Sequence, residues 1–233
     1  MTLAWSDLDE VADALSAVYA PEMRPLYRPR YNIAPTDPHP IVHLTAPADA
    51  AAPPGAQRRL TFASWGFSVG AKRPPLINAR SETAALRDSF RRSFAARRCI
   101  VPADGFYEWS GPKQARQPHW IHRRDGQLLL LAGLYQDEAQ SPPAAGVPPG
   151  RFCVLTTSPN QLIAPLHDRM PVILDPGAVD LWLRDGTATL LSPAPDDLLS
   201  VEAVSLRVNS VKNDDPACLL PPSPEIPRQL RLI

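Results

Sequence analysis

Cysteine is scarce in this sequence, and its spacing excludes two kinds of site. The 233 residues include three cysteines, Cys99, Cys153 and Cys218, an odd number at wide intervals. They fit neither a disulfide framework nor a zinc-binding pattern, so we expect free thiols and the reducing environment of the cytoplasm. The sequence predicts no metal site and no cofactor.

Long apolar runs are also missing. No stretch approaches the roughly 18 residues of a membrane-spanning helix, and the acidic N-terminal segment lacks the basic and then apolar pattern of a signal peptide. No membrane partner is therefore expected. Proline and glycine, with 29 and 11 residues, stay below the roughly 25–30% that indicates disorder. We expect a single loop-rich domain over residues 1–233, with a proline-rich C-terminal tail from Pro216.

The net charge is zero, with 24 basic and 24 acidic residues, but the charges are unevenly distributed. Residues 58–124 carry 12 Arg and 2 Lys against 4 acidic residues, a net charge of +10. Arginine supplies 21 of the 24 basic residues, and its planar guanidinium suits phosphate oxygens. Either these arginines reflect a biased amino-acid composition and are simply solvated, or the middle of the chain binds a polyanion.

Hydrophobic periodicity predicts short helices and strands. An N-terminal helix is indicated over residues 6–21, with Ser6 as its N-cap. Two later strands, at residues 119–122 and 128–132, are predicted to form a hairpin with a turn at residues 125–126. This mixture of elements indicates a chain without long helices.

A loop that contains Asn78 and Arg80 leads into a second predicted helix, capped near Ser81. The inner face of this helix follows the i, i+4, i+8 pattern of Leu86, Phe90 and Phe94. A helix N-terminus preceded by Asn and Arg can hold an anion through its backbone N–H groups and its dipole. The alternative is an ordinary helix cap with a surface arginine.

One carboxylate stands among aromatic rings in the segment 97–109. Glu108 is flanked by Tyr107 and Trp109, and partial burial would raise its pKa toward the range in which a carboxyl group exchanges protons at neutral pH. Glu108 is therefore a candidate acid/base. The other interpretation is a strand that alternates faces and turns Glu108 to solvent.

An imidazole, a carboxylate and a guanidinium follow one another at His167, Asp168 and Arg169. Histidine titrates near neutrality and can move protons, so His167 is a second candidate acid/base. The segment is equally consistent with an Asp168–Arg169 ion pair that stabilises a turn, with His167 as a bystander.

Several blocks, in order along nearly the whole chain, resemble one family. The blocks are RYNIAPT at 30–36, WG at 65–66, INARSET at 77–83, RRCIVPADGFYEW at 97–109, LAGL at 131–134, TT at 156–157, HDRMPVIL at 167–174 and VKN at 211–213. They resemble the signature blocks of the SRAP proteins, the SOS response-associated peptidase or abasic-site processing family. Each block alone is weak, but their shared order makes the resemblance specific.

The resemblance implies a fold and a chemistry. The fold would be α+β, a single SRAP-like domain of curved, mostly antiparallel β-sheets in a barrel-like arrangement with short peripheral helices. Family members bind single-stranded DNA and react with abasic sites through a cysteine that becomes N-terminal when Met is removed. Its α-amine forms an imine with the sugar aldehyde, and its thiol closes a thiazolidine ring. The expected partner is single-stranded DNA with abasic sites, bound by a monomer associated with the nucleoid.

By the same resemblance, three residues would be catalytic. Asn78 would orient the amine and the sugar, and Glu108 would act as acid/base in ring opening and imine formation. His167 would assist sugar opening and reversal of the crosslink.

Four further residues would bind the DNA strand. Arg80 and Arg169 would hold phosphates beside the lesion. Trp65 and Pro35 would shape the path of the bases, because stacking is the usual way to grip single strands.

The N-terminus departs from the family pattern. Members begin Met-Cys-Gly-Arg and an aromatic residue, whereas this chain begins Met1-Thr2-Leu3-Ala4-Trp5. Thr2 and Leu3 resemble the residues that follow the absent segment, which favours a misassigned start or a trimmed chain. The chain could instead be a genuine thiol-less homologue, or Met1 could be removed so that Thr2 reacts through its amine and hydroxyl.

The function expected of the chain as printed follows from this departure. It would bind single-stranded DNA and lack the nucleophile for a stable crosslink. The alternatives are a thiol-less DNA-binding module and a cysteine-type peptidase.

Overall fold

Two β-sheets, of seven and three strands, form the body of the protein. The structure is a computed structural model, and it describes residues 1–45, 57–70, 73–112, 114–137 and 150–223. The strands of the large sheet are β1 (Pro38–Thr45), β2 (Gln57–Trp65), β3 (Asn78–Arg80), β4 (Arg98–Ala103), β7 (Leu129–Asp137), β8 (Gly150–Thr157) and β9 (Met170–Pro171). The strands of the small sheet are β5 (Gly105–Ser110), β6 (Gln117–Arg123) and β10 (Leu199–Ala203).

The large sheet is mostly antiparallel and ring-like. Its strand order is β2-β1-β4-β7-β8-β3, and β9 pairs with β8. Strand β2, at one end of this order, also pairs in parallel with β8, where Trp65 lies opposite Phe152. This pairing closes the sheet into a ring. The expected α+β fold with curved, mostly antiparallel sheets is confirmed, although the ring is not a true barrel. Parallel pairing of β3 with β8 sets Asn78 opposite Val154.

The small sheet is antiparallel, in the order β10-β6-β5. It sets Glu108 opposite His119 and Phe106 opposite Ile121. The predicted hairpin between residues 119–122 and 128–132 is wrong, because β6 pairs within the small sheet while β7 pairs with β4 and β8. The Asp-Gly turn instead carries the chain from one sheet to the other.

The helices are short and peripheral, as expected, but two of them differ from the prediction. They are α1 (Leu8–Ala14), α2 (Ser81–Ala84), α3 (Arg91–Ala96) and α4 (Val179–Asp185). Helix α1 is capped by Asp7, whose side chain accepts from the Glu10 N–H, and not by Ser6. It ends well before residue 21 because Ser16 adopts a positive φ of 49° and Val18 forms a β-bridge with Arg59.

The second predicted helix is divided into α2 and α3. Leu86 lies in the turn between them and is 78% exposed, so it does not join the inner face, whereas Phe90 is buried. Helix α2 has only four residues, so its dipole is smaller than that of the longer helix expected from the sequence. The anion site at this helix N-terminus stays a prediction.

The main core lies inside the ring and against the inner face of the small sheet. It includes Phe106 and Ile121 from the small sheet and Trp182 from α4. Cys99, Cys153 and Cys218 are free and buried, and burial raises the pKa of the Cys99 and Cys153 thiols. Among the described residues, no helix combines the length and apolar character needed to cross a bilayer.

The N-terminal segment is fixed to the start of β5. The Thr2 N–H donates to the Gly105 carbonyl over 2.9 Å, and the Thr2 hydroxyl donates to the Asp104 carboxylate. The Ala4 N–H donates to the same carboxylate over 2.7 Å. Gly105 is required here, because a Cβ would lie 2.0 Å from the indole nitrogen of Trp120. The Asp-Gly pair of the 97–109 segment therefore holds the N-terminus in place.

Arg98, from the same segment, joins two helices to the large sheet. Its guanidinium is buried and donates to the carbonyls of Phe94 and Ala95 in α3. It also donates to the carbonyls of Trp182, Leu183 and Arg184 in α4. These carbonyls belong to the last turns of α3 and α4, where intrahelical donors run out, and the Trp182 carbonyl also accepts from the Gly186 N–H over 3.0 Å. A single arginine thus satisfies the ends of two helices.

Substitution of Arg98 by Met is expected to destabilise the fold by about 3 kcal/mol or more, because buried carbonyl oxygens would lose their donors. Urea denaturation followed by circular dichroism measures this loss. Arg92→Met is the matched control, since Arg92 is exposed on α3 and should change stability by no more than about 0.5 kcal/mol. Equal effects of the two substitutions would contradict this role of Arg98.

Candidate active site

A cavity of about 770 Å³ opens between the two sheets. Its apolar floor includes Met1, Phe106, Leu131, Val154 and Met170. Six of the seven site residues predicted from the sequence line it: Pro35, Trp65, Asn78, Glu108, His167 and Arg169. The seventh, Arg80, lies outside the lining. The structure therefore brings together residues from five separate blocks of the sequence.

Glu108 lies on β5 and is half-buried at the cavity. Burial raises the pKa of its carboxyl group above the ordinary value of 4.5, the nearby Asp168 carboxylate adds to this, and His167 opposes it. Within the described parts of the chain, the Glu108 carboxylate accepts no hydrogen bond. A half-buried carboxylate with a raised pKa and free lone pairs is suited to exchange protons with a bound molecule.

His167 is held by the backbone of the residue two positions later. The Arg169 N–H donates to the His167 Nδ1 over 3.0 Å, and the side chain of His167 is 46% exposed. The same Nδ1 lies 3.1 Å from the Arg169 carbonyl oxygen and 3.3 Å from the Asp168 carboxylate. These contacts occupy Nδ1, so Nε2 is the nitrogen left free for a ligand. His167 is therefore oriented for proton exchange.

Arg169 pairs with Glu82 and not with Asp168. Its Nη1 and Nη2 donate to the two Glu82 carboxylate oxygens over 2.8 Å each, and Nη2 donates to the Thr156 carbonyl over 2.6 Å. This hydrogen bonding lowers the pKa of the Glu82 carboxyl group. The Arg169 Nε is buried without a partner among the described residues. The Asp168–Arg169 pair considered from the sequence is thus not formed, and one donor of Arg169 is still unused.

Trp65 and Pro35 form one part of the cavity rim. The Trp65 indole is half-buried, stacks on Phe152 with an interplanar angle of 8°, and donates to the Ile77 carbonyl over 2.9 Å. Pro35 is exposed beside Thr36, whose φ is 76°. A fixed indole and a rigid proline ring give the rim a flat apolar surface.

Asn78 and Arg80 are both exposed on β3. Residues two apart in a strand lie on the same face, so Arg80 follows Asn78 in the direction of α2. The Asn78 side chain borders the cavity. Arg80 makes no hydrogen bond or ion pair with any other described residue, so its guanidinium is available to a ligand.

The α-amine of Met1 is buried at the cavity. It donates to the Ile33 carbonyl over 3.0 Å, and burial lowers its pKa to about 5, partly opposed by Asp104. The amine is therefore neutral at pH 7. This position results from the bonds between Thr2 and β5 and from the bridge between Leu3 and Arg30.

Several residues of the cavity were not predicted from the sequence. They are Asn32, Trp109, Arg116, Leu206 and Val211. Glu82, which pairs with the cavity residue Arg169, was not predicted either. The only indication in the sequence was that four of them belong to the blocks that resemble the family: Asn32, Glu82, Trp109 and Val211. Nothing in the sequence around Leu206 or Arg116 indicates that these side chains meet at one rim.

The fold and this cavity define an α+β protein with two acid/base groups beside aromatic and guanidinium groups. The family described as SOS response associated peptidase (SRAP) matches residues 2–211. The chain belongs to the SRAP family.

Named relatives resemble this chain over most of its length. The abasic site processing protein YoqW of Bacillus subtilis is 35% identical over 229 residues, which cover 91% of this chain and 94% of YoqW. The abasic site processing protein YedK of Escherichia coli is 32% identical over 67% of this chain and 72% of its own. The abasic site processing protein HMCES of Gallus gallus is 28% identical over 88% and 70%.

Solved structures share the fold. A crystal structure of a protein from Bacteroides thetaiotaomicron has a TM-score of 0.73 and 20% identity, and the match covers 94% of this chain and 98% of that one. A protein from Bordetella bronchiseptica has a TM-score of 0.66 and 26% identity over 88% and 99%.

Proposed function

We propose that this protein binds single-stranded DNA and processes abasic sites in it. The observation that carries the proposal is the half-buried, unbonded Glu108 carboxylate beside His167, in a cavity bordered by Trp65 and Arg169. The names of the relatives, which are abasic site processing proteins, agree with it. An abasic sugar lacks a base, so it is smaller than an intact nucleotide and can enter the cavity.

The reaction at this site is condensation of an amine with the open-chain aldehyde of the sugar. Glu108, starting as the carboxylate, would take a proton from the attacking amine and later give it to the departing hydroxyl, while Asn78 orients the reacting groups and His167 assists opening of the sugar ring. In family members, the thiol of an N-terminal cysteine then adds to the imine carbon and closes a thiazolidine. The imine formed first needs no oxidant, and only water leaves.

The chain as printed lacks the thiol for that last step. Cys99, Cys153 and Cys218 are buried, carry no free α-amine, and do not line the cavity. The neutral Met1 amine can form an imine, which water hydrolyses. We therefore infer that this form binds abasic DNA and leaves no heat-stable adduct.

The DNA strand would be bound as a single strand by one copy of the protein. Trp65 and Pro35 would contact bases, and Arg80 and Arg169 would contact phosphates. This combination of stacking surfaces and cations is how single strands are held. Binding to DNA would associate the protein with the nucleoid.

A thiol-less DNA-binding module is the second candidate, and it is favoured by the aromatic and cationic side chains of Trp65, Arg116 and Arg169 that line the cavity. Such a module would bind abasic DNA equally well when Glu108 is replaced by Gln and would have no turnover to lose. A cysteine-type peptidase would use the same N-terminal cysteine with Glu108 and His167. The internal thiols are poor substitutes, because burial raises the pKa of two of the three, and a thiolate is the nucleophile.

Substitution of Arg80 by Met is expected to weaken binding to a single-stranded oligonucleotide that carries a tetrahydrofuran abasic analogue. It should also reduce the slope of log K against log salt by about 0.7, the value for one lost phosphate contact on a single strand. Fluorescence anisotropy at four salt concentrations measures both quantities.

Arg184→Met is the control for this experiment, since Arg184 is exposed on α4 and does not line the cavity. It should leave the salt slope as in the wild type. An unchanged slope in the Arg80 variant, or no preference of the wild type for single-stranded over duplex oligonucleotide, would contradict the proposed binding mode.

A further inference from the structure

Two exposed aliphatic side chains stand on the rim of the cavity. Leu206 is 59% exposed and Val211 is 68% exposed, and both line the cavity. Single apolar residues on a surface are ordinary, but a pair at the mouth of the main cavity indicates a contact site. Neither side chain has a role in the chemistry described above.

The loop that presents them is fixed by hydrogen bonds. The Asn32 side-chain amide donates to the carbonyls of Val208, Ser210 and Asn213 over 3.1, 3.1 and 2.9 Å. The Trp109 indole N–H donates to the Asn209 side chain over 2.7 Å. The exposure of Leu206 and Val211 is therefore a property of an anchored loop that holds both side chains toward solvent.

These bonds also give the loop its place on the rim. The loop lies between Trp109 on one side and the segment 32–35 on the other. Trp65 is next to that segment, because the Trp65 backbone N–H donates to the Asp37 carbonyl over 3.0 Å. Five residues with apolar surfaces therefore line this part of the cavity together with Asn32 and Asn209: Trp109, Leu206, Val211, Pro35 and Trp65. The surface predicted for bases is longer than the pair Trp65 and Pro35.

Two cations accompany the apolar residues. Lys212 is exposed next to Val211, and Arg116 is exposed and lines the cavity. Neither is ion-paired with another residue in the described ranges. Apolar faces for bases next to free cations for phosphates match a nucleic acid strand. Two side chains are too few for a protein interface, which needs about 800 Å² on each partner.

We propose that Leu206 and Val211 form a binding site for one nucleobase beside the abasic nucleotide. The inference rests on the proposed function and extends it by one contact to a nucleobase. The base lies with its face on the two aliphatic side chains and its edge toward Trp109. Since this contact is apolar, it accepts any of the four bases and does not depend on salt.

The test is the double substitution Leu206→Ser and Val211→Ser, which changes only exposed side chains. The probe is a single-stranded oligonucleotide with a tetrahydrofuran abasic analogue and 2-aminopurine at each flanking position in turn. Affinity is expected to fall about fivefold to tenfold, in the range of one lost base contact, with an unchanged salt slope. The fluorescence change of 2-aminopurine at one flanking position should be lost.

The matched control is Val18→Ser with Leu26→Ser, a valine and a leucine that are 42% and 59% exposed and lie outside the cavity. It should bind as the wild type does. Wild-type affinity and fluorescence in the Leu206/Val211 variant, or the same loss in the control, would overturn the inference alone. Failure of the wild type to bind the oligonucleotide would overturn the proposed function as well.

Discussion

Replacement of Met1 by Cys-Gly-Arg-Tyr, with the initiating methionine removed, is expected to produce a heat-stable adduct with abasic single-stranded DNA, whereas the printed chain produces none. Met1 is buried at the cavity, so the tyrosine would take its place while Thr2 keeps its bonds to β5. The cysteine would then lie three residues earlier, in the space beside Glu108. Its amine forms the imine and its thiol closes the ring. Denaturing gels of heated samples measure the adduct.

The matched control begins Ser-Gly-Arg-Tyr, which keeps the α-amine and removes the thiol. It should be trapped on the DNA by borohydride reduction of the imine, yet leave nothing that withstands heating. A heat-stable adduct with the printed chain would show that a thiol is unnecessary. Its absence after the cysteine is supplied would show that the cavity does not perform this chemistry.

The second large effect is expected for Glu108→Gln in the cysteine-bearing form. The rate of adduct formation should fall by about 100-fold to 1,000-fold, because an amide of the same shape neither gives nor takes a proton. Affinity for the abasic analogue should stay close to that of the unsubstituted form. Single-turnover kinetics and anisotropy separate these two quantities.

The pH dependence supplies a further readout of the same substitution. Burial raises the pKa of Glu108 above 4.5, so the carboxylate is lost as the pH falls through that raised value, and it is fully present at higher pH. The rate should therefore decline on the acid side with a midpoint above pH 4.5. The Gln variant should lose this contribution and keep only the decline that protonation of the α-amine causes. Glu202→Gln is the control, because Glu202 lies on β10 and is 58% exposed. Equal rates for the two variants would contradict the role of Glu108.

Several strands and the partial burial of Glu108 were predictable, because a local pattern of residues determined each of them. The aromatic neighbours of Glu108 indicated a half-buried carboxylate, and burial indeed raises its pKa. The ordered blocks indicated an α+β fold with mostly antiparallel sheets, which the pairing of the strands confirms. The catalytic and DNA-binding roles stay predictions for the experiments above.

Other features depend on contacts distant in sequence. The Asp-Gly turn after β6 has the local sequence of a hairpin turn. However, β6 forms hydrogen bonds with β5 and β10, and β7 forms them with β4 and β8. Similarly, Leu86 fits a helical period, yet the chain turns there and exposes it. Glu82 and Arg169 are 87 residues apart and meet only because β3 and β9 both pair with β8.

The anchoring of Thr2 to Asp104 and Gly105 has a consequence for engineering. The strand that fixes the N-terminal peptide also carries Glu108, so one strand sets the position of the N-terminal residues relative to the Glu108 carboxylate. Peptides of different chemistry could be joined before Thr2 and would be delivered to the same carboxylate without any change to the sheets. The protein therefore offers an exchangeable reactive end on a constant scaffold.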